Sequence, residues 1–181
     1  MRKLAVLMAL AASPAAATGL EIDVMGEAEG TIVIDLFEDV APAHVEQITA
    51  LAAEGAYDDV VFHRVIDGFM AQTGDVEFGR EGSEPGMAGM GGSERDDLKA
   101  EFSDLPFERG TVGMARSPDP NSANSQFFIM FAPARHLDGQ YTVVGEVTEG
   151  LDVLDAIKRG QGPNGAVSEA PDVMREVRVT E

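Results

Sequence analysis

The 181-residue chain contains no cysteine. That excludes disulfides, thiolate metal sites and a cysteine nucleophile. Histidine is scarce: His44, His63 and His136 lie far apart, and no two stand at a metal-ligand spacing. No metal and no cofactor is therefore expected. Positive charge is scarce too, with 13 Lys and Arg against 32 Asp and Glu and a formal net charge of −19. Nucleic-acid binding needs clustered cations to neutralise phosphate, so it is disfavoured. The acidic excess reads as a solvated surface that keeps like-charged molecules apart.

Long apolar runs are also missing. The one continuous run, Leu4 to Ala12, is shorter than the roughly 20 residues that a membrane-spanning helix needs. It follows Arg2 and Lys3 and precedes Ser13-Pro14-Ala15-Ala16-Ala17. Positive, apolar and then small residues are the order of a secretory signal. Residues 1–17 are expected to be removed, leaving a domain of residues 18–181 outside the cytoplasm. In a Gram-negative cell that is the periplasm. No later run is long enough to hold the chain in a membrane.

What remains has an ordinary composition, 44% apolar and 25% charged, enough for one domain with a real core. Strand patterns occur at 21–24, 31–37, 60–66, 111–115, 126–131, 141–147 and 173–179. Gly26 to Gly30 reads as a hairpin turn. One helix is expected from Pro42 to just before Gly55, with Val45, Ile48, Leu51 and Ala52 on one face. Another is expected from about Leu151 to Arg159, capped by Gly160. Many short strands and two helices suggest a barrel or sandwich with helical plugs. The glycine-dense run from Gly79 to about Arg95 reads as a long loop beside a binding site. It lacks the flanking strand and Lys-Ser/Thr of a phosphate cradle.

Two stretches carry the chemistry. The first runs from Val61 to Asp75. If it is one strand, Phe62, Arg64 and Ile66 share a face and His63 and Val65 the other. An arginine among large apolar neighbours needs a partner, met by an ion pair or by a ligand. The second joins Gly113-Met114-Ala115-Arg116-Ser117 to Asn121–Ile129. Read alone, Phe69, Met70 and Phe128 suit a core, and Gln72 and Gln126 suit a surface or turn. His63, His136, Asp138 and Ser125 are residue types a hydrolase uses, but no Gly-x-Ser-x-Gly elbow accompanies them.

Together these stretches resemble a known family. Phe62–Asp75 (FHRVIDGFMAQTGD) resembles the central motif of the cyclophilin-type peptidyl-prolyl cis/trans isomerases. Asn124–Ile129 (NSQFFI) resembles the second motif, and Leu137–Val147 (LDGQYTVVGEV) the third. Order and spacing agree from about Thr31 to Ile157. The resemblance implies a closed eight-stranded antiparallel β-barrel capped by two α-helices, acting on proline-containing polypeptides; a monomer is the default expectation. It implies Arg64 as the catalytic group. Phe69, Met70, Phe128 and Leu137 would hold the proline ring, and Gln72 would bind the substrate backbone and help place Arg64. Ala115, Arg116 and Gln126 would line the adjoining groove, Arg116 mainly through its backbone. Three positions depart from the family pattern. Arg116 stands where Asn is common, His136, at the pocket edge, where Trp or Phe is common, and Tyr141, expected to bind substrate, where His is often found. A module that holds proline segments without turning them over would use the same groove. The presence of Arg64, which holding alone does not require, favours catalysis.

Overall fold

A computed structural model describes residues 18–84, 86–162 and 164–181. The expected signal segment, 1–17, lies outside the described residues. Nine strands make one sheet: β1 (Gly19–Met25), β2 (Gly30–Leu36), β3 (Val60–Val61), β4 (Arg64–Ile66), β5 (Met70–Thr73), β6 (Thr111–Met114), β7 (Phe127–Met130), β8 (Val143–Glu149) and β9 (Val173–Thr180). Helix α1 spans Pro42–Ala53 and α2 spans Leu151–Ala156, with a 3-10 turn at Arg135–Leu137. The strand order is β3-β9-β1-β2-β8-β6-β7-β5-β4, and every pairing is antiparallel.

The expected closed eight-stranded barrel is corrected on both counts. The sheet has nine strands, and among the described residues no ladder joins its two edges, β3 and β4. Those edges are consecutive in the chain, separated by Phe62 and His63 alone. The sheet therefore curls until its ends meet at a kink. The kink exists because the chain changes partner, β3 pairing with β9 and β4 with β5. Across the seam the Thr73 hydroxyl donates to the Val61 carbonyl at 2.9 Å.

The same kink corrects the single strand expected over 60–66. It resets the alternation, so Phe62 joins Val65 in the main core while Arg64 and Ile66 turn to the other face. A strand was also missed: β5 follows the turn Asp67-Gly68, where Gly68 has φ +67°. Asp-Gly between short apolar runs is a hairpin signal. Helix α2 stops at Ala156, earlier than expected. Ile157 is extended at φ −55°, ψ 130°, and the Lys158 amide donates to buried Asp172 at 2.6 Å. Lys158 and Arg159 therefore lie beyond the helix, and Gly160 donates to the Val65 carbonyl instead of capping it.

Two apolar clusters lie on opposite faces of the sheet. The larger fills the interior, with Ile22, Ile32, Ile34, Val112, Phe127 and Ile129 under α1 residues Val45, Ile48 and Leu51. The smaller, with Met70, Phe107, Phe128, Met130, Leu137 and Val143, covers the outer face. Alternation along β7 sends Phe127 and Ile129 inward and Phe128 and Met130 outward. The site is built on that outer face.

Candidate active site

Register creates the site. Arg64 on β4 pairs with Gln72 on β5, Gln72 with Phe128 on β7, and Phe128 with Gly113 on β6. These four form a row across four strands. Because the side-chain period is two, a slip of one residue would send them all to the interior. Gly113 makes room in that row: a Cβ there would lie 2.6 Å from Phe107 and 2.7 Å from Phe128. Phe107 stacks behind Phe128 at 5.7 Å between centroids.

Arg64, Phe69, Met70, Gln72, Ala115, Arg116, Phe128, Leu137 and Tyr141 line one open cleft of about 170 Å³. Of the residues expected from sequence, Gln126 alone lies outside it. It borders an adjacent, larger and more polar cleft that shares Gln72, Ala115 and Arg116. The glycine-dense loop lines that second cleft through Gly89 to Ser93.

Arg64 is half-buried and held by neutral groups. Its Nη1 donates to Gln72 Oε1 at 3.0 Å and its Nε to the Asn164 carbonyl at 3.0 Å, with Met70 Sδ at 3.9 Å from Nη1. Among the described residues it has no carboxylate partner, so the ion-pair alternative is not the one realised. Burial pulls its guanidinium below the ordinary arginine value, a shift the nearby Tyr141 opposes. It remains a cation at any physiological pH.

Gln72 is oriented in turn. Gln126 Nε2 donates to the carbonyls of Gly89 at 3.1 Å and Gly91 at 2.7 Å. Its Oε1 is thereby left to accept from Gln72 Nε2 at 2.9 Å, which leaves Gln72 Oε1 for Arg64. The loop backbone is itself held by Asp75. Oδ2 of that fully buried carboxylate accepts from the amides of Gly89 and Gly91, and Oδ1 from those of Glu77 and Phe78.

The three departures from the family pattern also find places. Arg116 and Tyr141 pack on each other, the guanidinium 4.4 Å above the ring. Tyr141 meets Phe128 edge-on at 5.7 Å. The Arg116 side chain further donates to the carbonyls of Gln140 and Ser117. Its side chain thus forms the rim, where a mainly backbone role was expected. His136 stacks on Phe69 with centroids 5.8 Å apart. Ser125, by contrast, is buried and donates to the Gly74 carbonyl.

Sequence reading missed Asp75 as the hub of the loop, although it closes the first motif. It also missed Asn164, whose carbonyl meets Arg64. The signal for Asn164 is the glycine-rich run at 160–165. Gly165 has φ +67°, and a Cβ there would lie 2.7 Å from the Val65 carbonyl.

Comparison with known proteins decides what this arrangement is. The family model "Cyclophilin type peptidyl-prolyl cis-trans isomerase/CLD" matches residues 20–180. The chain belongs to the cyclophilin-type peptidyl-prolyl cis/trans isomerases. A probable peptidyl-prolyl cis-trans isomerase of Brucella suis biovar 1 is 56% identical over 150 residues, covering 81% of this chain and 76% of that protein. The isomerase CYP18-1 of Arabidopsis thaliana is 40% identical over 136 residues, covering 74% and 81%. Among solved structures, cyclophilin AquaCyp293 of Hirschia baltica superposes with TM-score 0.71 at 27% identity, covering 88% of this chain and 72% of that one. A Cryptosporidium parvum cyclophilin, solved in the presence of the dipeptide Ala-Pro, shares the fold. Its TM-score is 0.71 at 24% identity, covering 90% and 99%. Like these cyclophilins, the chain is an isomerase of Xaa-Pro peptide bonds.

Proposed function

We propose that this isomerase works through Arg64 on proline-containing polypeptides, assisting their folding outside the cytoplasm, with one chain carrying the whole cleft. The observation that carries the catalytic role is a half-buried guanidinium held, among the described residues, by neutral acceptors alone. Rotation about Xaa-Pro is opposed by amide resonance, a barrier of about 18–20 kcal/mol. At the twisted state the prolyl nitrogen regains a lone pair. A cation whose neighbours are neutral keeps its attraction for that lone pair. It has little to offer the planar ground state, where the lone pair is delocalised. Such selectivity lowers the barrier without a nucleophile.

The apolar wall of Phe69, Met70, Phe128 and Leu137 suits a pyrrolidine ring, and the dipeptide used with the Cryptosporidium cyclophilin supports a proline ligand. Gln72 both accepts from Arg64 and lines the path of the substrate backbone. The extracytoplasmic setting rests on the order of residues 2–17.

The test uses protein recovered from outside the producing cell's cytoplasm, whose first residue should be Thr18. On a short Xaa-Pro peptide, exchange measured by NMR should be fast. Arg64→Ala should lower kcat/KM by at least about ten-fold, and by as much as the roughly 10²–10³-fold that loss of one transition-state donor costs. A folded wild-type protein that binds the peptide without turnover would leave a proline-segment holding module as the better account.

A further inference from the structure

Arg64 and Arg116 both line the smaller cleft. In so acidic a chain most arginines are claimed by carboxylates. Arg95, Arg109, Arg135, Arg159, Arg175 and Arg178 all sit within 4 Å of one. Among the described residues, Arg64 and Arg116 do not. Arg80, the other arginine without such a partner, donates to the carbonyls of Ala56 and Asp58 and lies outside this cleft.

Arg116 is also held ready. It stacks on Tyr141, and its Nε, Nη1 and Nη2 each donate to a backbone carbonyl. Guanidinium carries five N–H groups, so two stay available. The geometry is fixed in advance, so less side-chain freedom is lost on binding. The position matters as much as the charge. Among the described residues only Gln72, Ala115 and Arg116 line both clefts. A peptide with its proline in the smaller cleft that runs on into the larger must cross this junction. Among the described residues the one acidic residue lining the larger cleft, Asp97, already accepts from Asn124.

We propose that Arg116 is a specificity-determining residue. It selects substrates bearing a carboxylate side chain next to the proline, on the side that enters the larger cleft. This rests on the isomerase reading and names the substrate class of that site.

The test is a peptide series with Glu, Gln or Lys immediately before the proline, and a second series with the same residues immediately after it. Specificity constants are measured by NMR exchange for the wild type and for Arg116→Gln. In one series the wild type should favour Glu over Lys by about five-fold, with Gln between, the upper range for one exposed ion pair. The difference should lie mainly in KM. In Arg116→Gln the Glu-to-Lys ratio should fall towards one. The gap between the wild-type and Arg116→Gln ratios, in which the background field of the acidic chain cancels, should shrink as salt rises from about 0.01 M to about 0.1 M, which shortens screening from roughly 30 Å to 10 Å. Arg116→Ser gives the same reading should Arg116→Gln fail to fold. Equal turnover of Glu and Lys peptides in both series, or a ratio unmoved by Arg116→Gln, overturns this proposal alone. No turnover of any peptide would instead overturn the isomerase reading beneath it.

Discussion

His63 stands beside Arg64 in the chain, yet its surroundings ask the opposite of it. Its ring is buried under the glycine-dense loop, and a Cβ on Gly89 would lie 2.9 Å from it. Among the described residues neither ring nitrogen has a hydrogen-bond partner. Burial therefore holds its pKa below the ordinary 6.5, partly opposed by the Asp75 charge. The unfolded chain takes up a proton near pH 6.5, while the folded one resists it to lower pH. Stability should thus be full above 6.5 and should fall as pH drops from there through the folded value. Urea midpoints between pH 7.5 and pH 5.5 should show that fall in the wild type, and His63→Gln, which cannot titrate, should flatten it. Equal slopes would mean another group is responsible. Residues that line the cleft were legible in the sequence, because Arg64, Gln72 and Phe128 present side chains that motifs preserve. Asn164 was not, because it acts through a carbonyl that any residue could supply.

Elements show where local sequence runs out. Helix α1 was legible from Pro42 and its apolar face, but Ala41 at its N-cap has no polar side chain to accept a hydrogen bond. The cap comes from Glu101, far along the chain. Its carboxylate accepts from the amides of Ala43 at 3.2 Å and His44 at 3.1 Å, and contacts His44 Nδ1 at 2.6 Å. Burial alone would raise the Glu101 pKa, but the bonds from His44 and Ala43 outweigh it and hold it below the ordinary carboxylate range. The stabilisation is therefore present above pH 4.5 and is lost as pH falls through the folded value. Glu101→Ala should cost about 2 kcal/mol at pH 7, the scale of a lost cap plus a charge-assisted bond. The gap to wild type should narrow near pH 3. Denaturant titrations at the two values measure both, and a loss that does not depend on pH would deny the carboxylate this role. Similar long-range claims explain the other misreadings. Asp172 ends α2 through the Lys158 amide, and β9 and β5 divide the run at 60–66 between them.

At the scale of the whole molecule, charge is the property set least by the fold and most by composition. The sheet is assembled largely through pairings far apart in sequence, such as β1 with β9. The family resemblance carried the general architecture. The kink that makes nine strands of an expected eight depends on which partner each half finds. The net charge of −19 works against this compact form, because folding brings like charges together. The surface ion pairs work for it. They involve six arginines, however, and each exposed pair contributes only about 0.2–1 kcal/mol. Among the described residues most carboxylates have no arginine within 4 Å. Salt weakens both effects, and the imbalance of 32 acidic to 13 basic residues makes relief of repulsion the larger. The melting temperature should therefore rise by several degrees as NaCl increases from about 0.01 M to about 0.1 M, where the screening length falls from roughly 30 Å to 10 Å. Calorimetry at fixed pH 7.5 reads it directly. A melting temperature that fell over this range would mean the arginine pairs outweigh the repulsion, and that the acidic surface is more tightly organised than composition implies.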